Sequence, residues 1–338
     1  MCKNFLSRFL FFTFLCRHHQ TMSSKPALLI LIPVADKFVA QLAAGYAVQY
    51  LPGDPDQALR DCTSPAQIRA VLTNGSTGLS AAQMMRLPAL GLVCSYGAGY
   101  ENIDVIAAKA HGISVTHAPG VNNATVADHA LALMLGISRG LAVLDRGVKA
   151  GQWQNIRGER PAINGKRLGL LGLGNIGEQI ARRAVAFDMD IGYHTRQVRA
   201  GLPYRYHATL TELAEQSDYL ILACPGGAAT RHLVNQDVLS KLGSQGFLIN
   251  IARGSVVDTS ALIDALQKGV IAGAALDVLE DEPIVPEQLR RLDNLILTPH
   301  ISGRSPEAQL AQHNMLMANL HNYFCGQPLQ HALPATAS

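Results

Sequence analysis

Arg167-Leu-Gly-Leu-Leu-Gly-Leu-Gly-Asn-Ile-Gly177 joins a short apolar run to a helical pattern through three glycines. Gly172, Gly174 and Gly177 have the spacing G-x-G-x-x-G. Leu168 to Leu171 precede them, and Ile180, Ala181, Ala184 and Val185 follow at helical intervals. The spacing predicts a strand, a tight turn and the start of a helix. Gly172 lets the chain turn, and Gly174 lets backbone approach a pyrophosphate. Gly177 lets the helix pack close to the strand, and the N–H groups around Asn175 and Ile176 then face the phosphates. Such turns also occur in methyltransferases and as plain turns, so the rest of the chain must carry the assignment. A bound dinucleotide would narrow the chemistry to hydride transfer or to nucleotide sensing.

The same alternation of strand and helix continues on both sides. Downstream, strands are expected at Leu168–Leu171, Ile191–His194, Tyr219–Ala223, Phe247–Ile251, Ala272–Leu276 and Leu295–Leu297, which suits a doubly wound sheet of six strands. Upstream, Ala27–Ile32, Ala70–Leu72, Leu90–Cys94 and Ile113–Thr116 read as strands of a second parallel unit. Asn122 offers a cap for a helix carrying Val126, Ala130, Leu133, Met134 and Ile137, which would link the two units. Ser305 to Phe324 reads as a closing helix that packs back onto the first unit. The fold class expected is α/β with two parallel-sheet domains.

Composition narrows the function further. The chain has 338 residues, 16% of them charged, and a formal net charge of +3, so no basic face points to nucleic acid. The six cysteines (Cys2, Cys16, Cys62, Cys94, Cys224, Cys325) are scattered with no C-x-x-C pair. That spacing indicates neither a zinc site nor a disulfide framework, and it fits reduced thiols in the cytoplasm. Residues 1–21 hold five of the nine phenylalanines and three cations, Lys3, Arg8 and Arg17, which account for the whole net charge. The apolar run there is interrupted at Ser7-Arg8, lacks a small-residue cleavage site, and is too short to span a membrane. The expectation is that 1–21 is a non-native or disordered extension and that the native chain starts at Met22.

Ligands of open parallel sheets sit beyond the carboxyl ends of the strands. Three ionisable residues fall there: Arg253 after Phe247–Ile251, Glu282 after Ala272–Leu276, and His300 after Leu295–Leu297. A guanidinium can hold a carboxylate through two hydrogen bonds and polarise a carbonyl. A histidine can deliver a proton to a carbonyl oxygen while hydride reaches its carbon. A carboxylate bonded to that histidine fixes its tautomer and stabilises the imidazolium. The strand Ile191–His194 ends where an adenosine ribose would lie. No acid follows it; Thr195, Arg196 and Arg199 offer donors instead, which favours NADP over NAD.

Gly172–Gly177, Asn250-Ile-Ala-Arg-Gly-Ser-Val-Val-Asp258, Gly273-Ala-Ala-Leu-Asp-Val-Leu-Glu-Asp-Glu-Pro283 and Leu297-Thr-Pro-His300 resemble the D-isomer-specific 2-hydroxyacid dehydrogenase family. The likeness runs from Ala27 to Pro328 and is greatest for NADP-dependent glyoxylate/hydroxypyruvate and hydroxyphenylpyruvate reductases. It implies a Rossmann dinucleotide-binding domain (121–301) inserted in a flavodoxin-like substrate domain (22–120 and 302–338). Arg253, Glu282 and His300 match the catalytic residues, and Asp277 the acceptor for the nicotinamide carboxamide. Thr125 and Pro225 match positions lining the cofactor. The loop around Gly97, Ala98 and Gly99 is similar to the family's substrate-carboxylate loop. Asn74, Gly75 and Ser76 look like the other wall of that pocket. Trp153, in Gly151-Gln-Trp, lies in the arm that the family uses for dimer contact, so a homodimer is implied. There are departures: Asn175 where relatives often carry arginine, Gly226-Gly-Ala-Ala after Pro225, and Arg304 four residues beyond His300. The resemblance implies NADPH-dependent reduction of a small 2-oxoacid such as glyoxylate or hydroxypyruvate to the D-2-hydroxyacid. A non-catalytic nucleotide sensor, like corepressors of this fold, and an NAD-linked dehydrogenase for another 2-hydroxyacid stand as alternatives.

Overall fold

The computed structural model describes residues 25–334, so the expectations for 1–21 and Met22 lie outside the described residues. The chain divides into two compact units. One takes residues up to Val121 and from Gln309 onward; the other is Asn122–Ala308.

The first unit holds five strands: β1 (Ala27–Ile30), β2 (Ala47–Tyr50), β3 (Ile68–Thr73), β4 (Leu92–Ser95) and β5 (Ser114–Thr116). They form one parallel sheet in the order β2-β1-β3-β4-β5, the flavodoxin-like order. Alternate residues of β1, β3 and β4 feed two cores, because side chains alternate across a sheet. Leu29, Val71, Val93 and Val115 pack on one face. Leu28, Ile30, Leu72 and Leu92 pack on the other with Leu316 and Leu320. Those last two come from the closing helix Pro306–Phe324, which covers this sheet as expected. Strand β2 escaped the sequence reading. It is an edge strand with no buried residue, so it shows no apolar run.

The second unit holds β6 (Arg167–Leu171), β7 (Asp190–His194), β8 (Arg205–Tyr206), β9 (Tyr219–Leu222), β10 (Phe247–Asn250), β11 (Gly273–Leu276) and β12 (Leu295–Leu297). The sheet is parallel throughout and runs β12-β11-β10-β9-β6-β7-β8. Counted from β6 this is the dinucleotide-binding order 3-2-1-4-5-6 with one more strand. Seven strands replace the expected six. The addition, β8, is a two-residue edge strand paired to β7, too short for any periodicity to reveal. The helix Asn123–Arg139 lays Val126, Ala130, Leu133, Met134 and Ile137 into the core. Its cap differs from expectation: Asn122 occupies the N-cap position without a side-chain cap bond, and its amide lies against Gly303. Among the described residues no single helix is long and apolar enough to cross a membrane.

Candidate active site

Strand register aligns the site before any side chain is considered. His194, Leu171, Leu222, Asn250, Leu276 and Leu297 share one row across β7, β6, β9, β10, β11 and β12. Every sequence-derived site residue of this unit except Thr125 lies one to six positions beyond that row, at the carboxyl edge. Thr125 stands in the first turn of Asn123–Arg139 and shares a 3.0 Å hydroxyl contact with Ser305.

The three glycines play distinct parts. Gly172 has a φ of +96°, and a Cβ there would meet the backbone of Ala223 and Cys224 at 2.8 Å, just before Pro225. A Cβ on Gly177 would meet the Gly172 carbonyl oxygen at 2.4 Å. A Cβ on Gly174 would enter open space. Gly174 is also the N-cap of the helix Asn175–Ala184, which has no side-chain cap. Its first N–H groups, at Asn175, Ile176 and Gly177, therefore have no partner in the helix. Open space in front of uncapped N–H groups and a positive helix end is what a pyrophosphate requires, so the residues present fit a dinucleotide.

Beyond β7, the Thr195 hydroxyl donates to the Gln197 carbonyl at 2.6 Å. Arg199 is engaged elsewhere: it donates to the Leu173 carbonyl at 2.9 Å and pairs with Glu178 at 2.6 Å. Arg196 is exposed and forms no ion pair among the described residues.

Arg253 is set by the turn after β10. Asn250, 1% exposed, donates from Nδ2 to the Arg253 carbonyl and accepts the Ala252 N–H, both at 3.0 Å. Gly254 leaves no room for a side chain, since a Cβ would overlap Leu279 at 1.9 Å. This tight contact ties the arginine turn to the segment Leu279–Glu282. Glu282 and His300, eighteen residues apart in sequence, meet with Nδ1 and Oε2 2.8 Å apart. The other Glu282 oxygen accepts the Leu279 N–H at 3.0 Å. Burial opposes ionisation of Glu282, but the hydrogen bond and charge of His300 and the Leu279 N–H outweigh it. They hold the carboxyl below its ordinary value of 4.5. With Nδ1 turned to a carboxylate, Nε2 of His300 is left for proton exchange.

Asp277 has more duties than sequence reading gave it. It is 1% exposed. Its carboxylate accepts the Thr298 hydroxyl at 2.6 Å and the N–H groups of Ile301 and Ser302 at 2.9 Å, and its carbonyl accepts the His300 N–H at 2.8 Å. The residue thus folds the loop that presents His300. His129 joins from the helix Asn123–Arg139, with Nε2 3.1 Å from the Thr298 hydroxyl and 3.6 Å from Asp277. A second acid, Glu280, receives His232 at 2.6 Å, the Thr259 hydroxyl at 2.9 Å and Arg231 at 3.0 Å. His129, Thr298, His232 and Glu280 were not singled out in the sequence, because their partners lie far away in the chain.

In the first unit, Asn74–Ser76 follow β3 and Gly97–Gly99 follow β4, whose ends Thr73 and Ser95 are in register. Asn74 Oδ1 accepts the Ser76 and Thr77 N–H groups at 3.0 and 2.7 Å. A Cβ on Gly75 would meet Gly99 backbone at 2.7 Å, so the two loops lie against each other.

Residues 131–302 match the model of the NAD-binding domain of D-isomer specific 2-hydroxyacid dehydrogenases. The chain is 38% identical over 304 residues to a glyoxylate/hydroxypyruvate reductase A of Arabidopsis thaliana, covering 89% of this chain and 96% of that one. It is 39% identical to a glyoxylate reductase of Pyrococcus horikoshii, covering 75% and 79%. Among solved structures, it resembles an NADPH-dependent glyoxylate/hydroxypyruvate reductase from Sinorhizobium meliloti in complex with NADP and malonate, with a TM-score of 0.85, 37% identity and coverage of 92% and 98%. The chain belongs to the D-isomer specific 2-hydroxyacid dehydrogenase family. It is an NAD(P)-dependent enzyme of that family, acting on 2-oxoacids and their 2-hydroxyacids.

Proposed function

We propose that the protein is an NADPH-dependent reductase that converts glyoxylate, hydroxypyruvate or a related small 2-oxoacid to the D-2-hydroxyacid. The observation that carries this reading is the 2.8 Å pairing of His300 with Glu282 at the carboxyl edge of the sheet that bears the glycine turn. His300 Nε2–H delivers a proton to the carbonyl oxygen, and Glu282 holds the ring and balances the imidazolium. Arg253 binds the carboxylate and polarises the carbonyl. The reduced nicotinamide, when bound, supplies the hydride to the carbonyl carbon. Asp277, Pro225 and Thr125 line that cofactor, Gly172–Gly177 hold its pyrophosphate, and Thr195 with Arg196 receive the 2′-phosphate. In the first unit, Gly97–Gly99 supply N–H groups to the substrate carboxylate and Asn74, Gly75 and Ser76 form the other wall of its pocket.

The relatives named above are glyoxylate or glyoxylate/hydroxypyruvate reductases, and Arg196, exposed, in no ion pair among the described residues and with no acid beside it in sequence, favours NADPH. The substrate domain is read as 22–120 with 302–338 and the cofactor domain as 121–301, although by compactness residues 302–308 fall with the second unit. A cytoplasmic homodimer is part of the reading; among the described residues Cys62, Cys94 and Cys224 form no disulfide. The test follows absorbance loss of NADPH and NADH in parallel with glyoxylate, hydroxypyruvate and 4-hydroxyphenylpyruvate, in the native protein and in Arg196→Gln. NADPH preference that falls about tenfold in the variant supports the reading. NADH preference in the native protein removes the cofactor assignment, and absence of turnover with all three acids removes the substrate class.

A further inference from the structure

We propose that His117 is a positioning residue for substrate, acting through the Ala98 carbonyl to hold the N–H groups of the loop Gly97–Tyr100 in their anion-receiving orientation. The inference rests on reading that loop as the carboxylate binder.

A trans peptide points its carbonyl and the following N–H in opposite directions. Fixing a carbonyl therefore fixes the next N–H. Three successive carbonyls of this loop are tied down. Gly97 O accepts the Ala118 N–H at 2.8 Å, Ala98 O accepts His117 Nδ1–H at 2.9 Å, and Gly99 O accepts the Ser95 hydroxyl at 2.5 Å. The N–H groups of Ala98, Gly99 and Tyr100 are thereby turned away from these three donors. None of them donates to a group among the described residues. Adjacent N–H groups aimed the same way form a concavity for an anion.

His117 holds the middle peptide of the three through its imidazole. It leaves the end of β5, where its own N–H donates to the His331 carbonyl at 3.3 Å. Its ring meets Tyr100 edge-on, with centroids 5.2 Å apart, which holds the far end of the loop as well. Donation to a carbonyl requires the proton on Nδ1.

The test compares steady-state constants of the native protein, His117→Leu and His117→Asn. An asparagine Nδ2 stands at the same bond distance from the backbone as Nδ1 of histidine and can donate to the same carbonyl. Loss of uniform carboxylate binding raises KM without a matching change in kcat. His117→Leu is expected to raise KM for glyoxylate and hydroxypyruvate about tenfold or more and to leave KM for NADPH unchanged. His117→Asn should restore the 2-oxoacid KM to near the native value. A native 2-oxoacid KM in His117→Leu would overturn the proposal. Equal impairment of the leucine and asparagine variants would also do so, by assigning the effect to packing. Failure of the underlying reading is told apart because it appears in the native protein, as no turnover with any 2-oxoacid, and it removes the proposal with it.

Discussion

His300 has a φ of +50°, a region that a residue with a side chain occupies only when its surroundings impose it. The imposing group is Asp277, which accepts the His300 N–H and the two that follow. Such a conformation costs about 1–3 kcal/mol and recurs where a catalytic group must be aimed. Truncating the ring should remove the proposed proton donor without disturbing this frame. His300→Ala is expected to lose about 100- to 10,000-fold in kcat while its affinity for NADPH, measured by fluorescence titration, stays native. Retention of native turnover would refute the role. Arg253, Glu282 and His300 were legible in the sequence because each follows an apolar strand and the chemistry of the three is complementary. The second duty of Asp277 was not, nor was the part of His129. Hydrogen bonds from Asp277 to a loop more than twenty residues away, and from His129 to Thr298, leave no local pattern.

At the scale of the element, the glycine turn separates stability from binding. Gly177 has no room, since its Cβ would meet a carbonyl oxygen at 2.4 Å. Gly174 has room and ordinary dihedrals, φ −82° and ψ −163°. Gly177→Ala should lower Tm, whereas Gly174→Ala should keep the native Tm and raise KM for NADPH several-fold. A native KM for NADPH in Gly174→Ala would argue against phosphates lying over that position. The closing helix Pro306–Phe324 brings a different constraint. His313 on it is 2% exposed, stacked on Phe38 at 4.3 Å, and its Nδ1 has no hydrogen-bond partner among the described residues. Burial lowers its pKa below the ordinary 6.5. The folded state binds a proton on this ring less readily than the unfolded chain, which takes up the extra proton as pH falls below 6.5. The associated stability is full above that value and is lost as pH falls toward the lowered folded value. Urea unfolding between pH 7.5 and 5.5 should show a decline that His313→Leu reduces, by up to about 1.4 kcal/mol per pH unit. An identical decline in both proteins would remove the assignment. The strands β2 and β8 were illegible for a reason that also belongs to this scale. Each has one neighbour and little burial, and an edge strand imposes no apolar alternation on its sequence.

For the whole molecule, association is the open expectation. The helix Leu141–Lys149 and the segment after it expose Leu141 at 56%, Val148 at 43% and Trp153 at 61%. Exposed apolar groups of this size, so close in the chain, are commonly a contact surface. Sedimentation velocity at micromolar concentration should give twice the chain mass, and the double variant Leu141→Glu with Val148→Glu should give the chain mass. A native protein that sediments as one chain would remove the dimer from the proposed function. The two parallel sheets, the closing helix and the order of chemistry along the strand ends could be read from residue types and spacing. Backbone preference and apolar periodicity act over a few residues, and the chain writes them locally. The strand registers that bring six carboxyl ends into one row were settled by folding, as were the partners of Asp277 and the direction of the peptides from Gly97 to Tyr100. A hydrogen-bonding group accepts any partner of suitable geometry, so its choice depends on which distant segments the packed cores bring within about 3 Å.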